Sequence, residues 1–142
     1  MFRACLRQVS TQAGRLPLSI SSRVADGVFV HADREKMHQV LLNLILNAIE
    51  ASGEHGTVWV RLTADRRANR ASIVVEDNGP GIDEADLPRV LEPFFTTKSS
   101  GSGLGLAIVK TIIEEHNGRL LLGNRPEGGL RAEVELNLLR EH

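Results

Sequence analysis

The chain has 142 residues, 42% of them apolar and 25% charged, which suits one domain with its own core over residues 1–142 and excludes a disordered or fibrous segment. Its 17 Lys and Arg oppose 18 Asp and Glu for a formal charge of -1, so no global field draws it onto nucleic acid or anionic lipid. Cys5 stands alone and cannot close an internal disulfide, no Cys/His group has zinc-ligand spacing, and no apolar run approaches a bilayer span. A cytoplasmic domain that makes no membrane contact is the expectation.

In chain order, residues 3–13 read as a short helix closed by Gly14. Residues 16–24 and 28–31 alternate apolar and polar side chains around Asp26-Gly27, which predicts a hairpin. Asp33 stands at an N-cap position, and Met37, Val40, Leu41, Leu44, Ile45, Ala48 and Ile49 then recur at helical spacing up to Gly53. Residues 57–63 and 71–76 read as a second hairpin across a polar stretch rich in Arg and Asn. A loop region with a short helix inside it follows Asp77. Residues 104–116 regain helical spacing and end at Asn117-Gly118, and strands over 119–124 and 130–138 flank a Pro-Glu-Gly-Gly turn. Hairpins stand where a doubly wound fold needs crossovers, so the order predicts an α+β sandwich, with one mixed, mostly antiparallel sheet of about five strands under three helices.

Three places carry chemistry. On the helix from 33 to 52, Leu42 and Leu46 make the surface apolar almost all round, which leaves Asn43 and Asn47 as exceptions stacked on one face. A buried carboxamide without a partner costs about 1–3 kcal/mol, so the pair points either to a polar ligand or ion above it or to capping of neighbouring loops. The run Glu76-Asp77-Asn78-Gly79-Pro80-Gly81-Ile82 follows an apolar strand. Its carboxylate can accept from an exocyclic amine and its glycines permit close backbone approach, although Asp-Asn-Gly is also common turn chemistry. Finally, Gly101-Ser102-Gly103-Leu104-Gly105-Leu106 leads into a helix, where unpaired amide groups at the positive end of the dipole favour an anion such as phosphate. Leu106 stands where a dinucleotide fingerprint needs glycine, and no Gly-Lys-Ser/Thr ending marks a P-loop.

The conjunction is more specific than its parts. Asn43-Leu44-Ile45-Leu46-Asn47-Ala48, Asp77-Asn78-Gly79-Pro80-Gly81, Glu92-Pro93-Phe94-Phe95-Thr96-Thr97-Lys98 and the glycine run from Gly101 resemble, in order, the N, G1, F and G2 boxes of histidine kinases. The wording around Phe94 and Phe95 looks most like the nitrogen-regulation and oxygen-sensing subgroup, and the wider superfamily includes DNA gyrase, Hsp90 and MutL. The resemblance implies the Bergerat fold with an ATP lid, an ATP-dependent protein histidine kinase of two-component signalling, and ATP and Mg²⁺ as ligands. It implies that Asn47 binds Mg²⁺ with Asn43 beside the phosphates. Asp77 then holds the adenine amine in a pocket shaped by Gly79, Gly81 and Ile82. Gly101, Ser102, Gly103, Leu104, Gly105 and Leu106 wrap the triphosphate, and Lys98, with Thr97 beside it, meets the γ-phosphate. Phe94 and Phe95 either pin the lid to the core or contact a histidine-bearing dimerisation domain, and a response regulator acts downstream.

One departure and one substitution bear on mechanism. Glu50 and Ala51 stand where many members of that family carry a lysine and an aromatic residue, which shifts weight onto Lys98. Asn43 occupies the place of the water-activating glutamate of the gyrase and Hsp90 branches, and an amide cannot take a proton from water. None of His31, His38, His55, His116 and His142 sits in the phosphoacceptor context. The expectation is therefore an excised catalytic domain whose dimerising helices lie upstream in a parent of open membrane status, with little transfer on its own. An anti-sigma-type serine kinase and a catalytically silent nucleotide-binding module are the alternatives.

Overall fold

The structure, a computed structural model, describes residues 19–24, 30, 32–53, 56–92 and 105–138. Strand β1 (Ser19–Val24) precedes helix α1 (Arg34–Ser52), strands β2 (Thr57–Asp65) and β3 (Arg70–Asp77), a 3-10 turn (Leu87–Arg89), helix α2 (Gly105–Glu115) and strands β4 (Arg119–Asn124) and β5 (Leu130–Asn137). The five strands form one sheet in the order β1-β2-β3-β5-β4, antiparallel except for the parallel pair β1–β2. Both helices pack on one face of it, giving the expected α+β sandwich.

Each element follows from local chemistry. Asp33 caps α1 by accepting from the Lys36 N–H at 3.1 Å, and Gly53, at φ +67°, closes the helix with its N–H on the Ile49 carbonyl. Asp65 Oδ1 accepts from the N–H groups of Arg67 and Ala68, and Asn69 takes a left-handed φ of 55°, which turns β2 into β3. Helix α2 ends with Asn117 at φ 60° and the Gly118 N–H on the Ile113 carbonyl; a Cβ at Gly118 would stand 2.4 Å from the Glu135 carbonyl oxygen. Along β5, burial alternates strictly, sending Ala132, Val134 and Leu136 under the helices. They join Val58, Val60, Ile73 and Val75 from the sheet and Val40, Leu41, Ile45, Val109 and Ile113 from the helices, each such side chain contributing about 1.5–3 kcal/mol on burial.

Several expectations need correction. β1 pairs in parallel with β2, Ser19 opposite Thr57 and Val24 opposite Leu62, with α1 as the crossover between them. The expected 28–31 partner strand falls almost wholly outside the described residues, and Val30 itself is not in a strand. The expected helix at 3–13 also lies outside them, leaving two α-helices and the 3-10 turn among the described residues. α1 is not buried all round: Leu42 is half-buried and Leu46 is 36% exposed. Among the described residues no helix is long and apolar enough to cross a membrane.

Candidate functional site

Asp77 is the last residue of β3, the central strand of the sheet. The side chain is 2% exposed, the one buried polar or charged residue of the described core. A carboxylate out of water needs donors, and two backbone groups converge on Oδ1: Gly79 N–H at 2.9 Å and Leu130 N–H at 3.3 Å. The first is a local turn of the Asp-Asn-Gly sequence; the second reaches across 53 residues from the first residue of β5. Asn78 faces the other way, its Oδ1 accepting from the Thr57 N–H at 2.9 Å at the start of β2.

The loop after Asp77 is braced from two sides. A Cβ on Gly79 would stand 2.3 Å from the Ala51 carbonyl oxygen in the last turn of α1, so only glycine lets this loop lie against that helix. Gly81 takes φ +76°, and a Cβ there would meet Asn124 Oδ1 at 2.6 Å. Asn124, ending β4, clamps the next residue by both polar atoms: its Oδ1 accepts from Ile82 N–H at 2.8 Å and its Nδ2 donates to the Ile82 carbonyl at 2.6 Å. A primary amide matches a peptide group in this two-point fashion, as a strand neighbour does. Across the turn between β4 and β5, Gly129 at φ +96° lies so close that a Cβ would stand 1.9 Å from the Asp77 carbonyl oxygen.

Asn43 and Asn47 lie half-buried on α1, whose last turn carries the Ala51 contact with the loop. Helix α2 is stapled beside α1 at one end: Lys36 Nζ meets Glu115 Oε2 at 3.0 Å, and the Asp33 N–H donates to His116 Nε2 at 3.1 Å while His116 Nδ1 sits 2.7 Å from the Ile112 carbonyl. His116 thus bridges as the neutral tautomer with its proton on Nδ1. Helix α2 is 11 residues long, and its last residue, Glu115, lies beside Lys36 in the first turn of α1. Gly105, its first residue, is exposed, with open space where a Cβ would go, and Leu106 packs against the core.

The structure therefore brings Asp77, Gly79, Gly81 and Ile82 together after the end of β3, with Gly79 against the last turn of the helix that carries Asn43 and Asn47, while Gly105 and Leu106 stand at the start of α2. Phe94, Phe95, Thr97, Lys98, Gly101, Ser102, Gly103 and Leu104 lie outside the described residues. Sequence reading missed Asn124, Arg125 and Gly129, noticing only a Pro-Glu-Gly-Gly turn. Two adjacent glycines there were the available signal, since both take positive φ.

Residues 32–140 match the model of the histidine kinase-, DNA gyrase B- and HSP90-like ATPases. The sensor histidine kinase ZraS of Escherichia coli is 43% identical over 100 residues, covering 70% of this chain and 21% of that protein. Among solved structures, the nucleotide-free catalytic domain of histidine kinase ThkA superposes with a TM-score of 0.85 at 32% identity, covering 95% of this chain and 88% of that one. Full-length ShkA in complex with AMPPNP superposes at 0.82 with 27% identity, covering 99% of this chain and 31% of that one. The chain spans between 16% and 27% of the length of the curated kinases it resembles. With four motifs in order, a sandwich superposable on that of a histidine kinase, and a family match over most of its length, the chain belongs to the histidine kinase-, DNA gyrase B- and HSP90-like ATPases.

Proposed function

We propose that the chain is the ATP-binding catalytic domain of a sensor histidine kinase, transferring the γ-phosphoryl group of Mg-ATP to a histidine on a separate dimerisation domain. The observation that carries this reading is Asp77, a buried carboxylate held through Oδ1 by two backbone N–H groups at a strand end. Such an anchored acceptor suits the 6-amino group of adenine, which Oδ2 would meet, while Gly79 and Gly81 let the loop lie close to the ring. Asn47 is the metal-binding amide in this reading. Among the described residues no group of three or more His, Cys, Asp and Glu is placed to hold a metal, so a cation here fits one that draws its remaining ligands from phosphate oxygens and water. A magnesium ion held by Asn47 would supply positive charge against the phosphates.

The protein residues divide the remaining work. Amide groups at the start of α2, with the glycines from Gly101 to Gly105, cradle the triphosphate, and Lys98 meets the charge that develops on the γ-phosphate. Asn43 lacks a basic atom, so that position supplies no general base for water. The attacking atom is an imidazole nitrogen of the acceptor; its bond to the γ-phosphorus forms as the bond from phosphorus to the β–γ bridging oxygen breaks, and ADP leaves. Phe94 and Phe95 face the acceptor domain, a response regulator receives the phosphoryl group afterwards, and the reaction runs in the cytoplasm, where ATP is.

The test is to mix the chain with Mg-ATP and a histidine-containing dimerisation domain and to follow label on the acceptor. Acid-labile, base-stable label is expected. Acid-stable label points instead to a serine kinase, and nucleotide binding without transfer to a silent module; either result overturns the proposal.

A further inference from the structure

The carbonyl of Asp77 poses a problem that its side chain does not. The antiparallel pairing of β3 with β5 ends at Glu76 opposite Arg131, so on that side the Asp77 carbonyl lies past the last strand pair, and a backbone acceptor at a buried position needs a donor. Arg125 supplies it. Its Nη1 donates to the Asp77 carbonyl at 2.9 Å and to the Gly128 carbonyl at 3.2 Å, and its side chain is 13% exposed.

Arg125 is itself held from the sheet face opposite the helices. Trp59 on β2 and Glu76 on β3 are paired across the sheet and point away from the core. The guanidinium carbon sits 4.4 Å from the centroid of the Trp59 ring, and Nε lies 2.8 Å from Glu76 Oε2, an ion pair without hydrogen-bond alignment. Glu76 is also paired with Arg61 and, at 3.7 Å, with Arg131. The guanidinium is thus fixed by a ring beneath it and a carboxylate beside it, and its Nη1 ties the end of β3 to the turn that carries Gly128. A side chain follows the main chain that bears it, so the direction of the Asp77 carboxylate depends on this tie.

We propose that Arg125 is a positioning residue for Asp77 and, acting from the far face of the sheet, sets the preference of the site for a purine bearing a 6-amino group. This rests on the reading of Asp77 as the adenine acceptor. Arg125 touches no ligand; it determines whether the acceptor oxygen stands where an exocyclic amine arrives. A merely structural Arg125 stabilises the turn and leaves purine choice alone.

The two roles separate by comparing Mg-ATP with Mg-ITP, whose base carries an oxygen in place of the amine, in calorimetric titrations of the same chain. Arg125→Met keeps the apolar stem over Trp59 and removes the donors. It is expected to weaken ATP about tenfold, the scale of a lost charge-assisted bond, and to change ITP by less than about twofold. Arg125→Lys keeps a charged donor but on a stem one atom shorter and without the planar group over Trp59, so its hold on the Asp77 carbonyl is looser, and its ATP-to-ITP ratio is expected about threefold below wild type, between the other two. Equal losses for both nucleotides, or an unchanged ratio in either folded variant, overturn the proposal. Should Arg125→Met not fold, the ratio in Arg125→Lys decides. Asp77→Asn serves as the control: if it keeps the preference for ATP, the adenine reading itself has failed, whereas if it loses the preference and Arg125→Met does not, only the role of Arg125 has.

Discussion

Gly128 and Gly129 look interchangeable in the sequence, yet they carry different constraints. Both take positive φ, at +104° and +96°, but a Cβ at 128 enters open space while one at 129 would stand 1.9 Å from the Asp77 carbonyl oxygen. Gly128→Ala is accordingly expected to cost about 1 kcal/mol from backbone strain alone, and Gly129→Ala about 3 kcal/mol or more once the strand end is pushed aside. Urea unfolding of the two variants measures the gap, and equal costs would refute the close approach. The local part of the Asp77 loop, the Gly79 N–H on Asp77 Oδ1, was legible in the Asp-Asn-Gly order. Asn124 and Arg125 were not, since they act on Ile82 and Asp77 at separations of 42 and 48 residues, and nothing in a strand-turn-strand sequence says what its end will touch.

Among the elements, α1 was readable almost to the residue, because Asp33 and Gly53 carry their capping chemistry in their own side chains and conformations. The hairpin expected around Asp26-Gly27 falls almost wholly outside the described residues, and the described pairing of β1 is with a strand that the sequence reading did not name as its neighbour. That partner, β2, lies beyond the whole of α1, and alternation predicts that a strand exists without saying which strand it pairs with. The far edge of the sheet offers a test of pairing between elements. Glu135 on β5 accepts from Arg119 Nε and Nη2 of β4 at 3.1 and 2.7 Å, with Arg70 Nη1 at 3.5 Å. The hydrogen bonds from Arg119, helped by its charge and that of Arg70, hold the Glu135 carboxyl below its ordinary range against the effect of burial. Because the folded value is the lower one, this contribution is fully present above the unfolded glutamate pKa of about 4.3 and disappears as pH falls through the folded value. Arg119→Met is therefore expected to melt below wild type at neutral pH, with the two curves converging under about pH 4. A difference that stayed constant with pH would rule out this origin.

At the scale of the whole molecule, the site we propose draws on α1, the β3 end, the start of α2 and the β4–β5 turn, so nucleotide binding there is expected to stabilise the fold as a whole. A ligand that binds only the folded chain stabilises it by about 2.7 kcal/mol at 100 times its Kd, which for a domain of this size raises the melting temperature by about 5–10 °C. Mg-ATP is expected to do this for the wild type, and Asp77→Asn to abolish the shift while melting as a folded protein. A full shift in Asp77→Asn would remove Asp77 from the site. The last anchor of that carboxylate also decides how the chain is free to drift. Leu130 gives Asp77 its main-chain N–H, not its side chain, which is buried 5% exposed in the core. Selection at this position consequently sees only apolar bulk and the presence of an amide hydrogen. In a saturation library sorted for nucleotide binding, Ile, Val and Met should persist at 130, and proline, which lacks the donor, should vanish even among variants that remain folded.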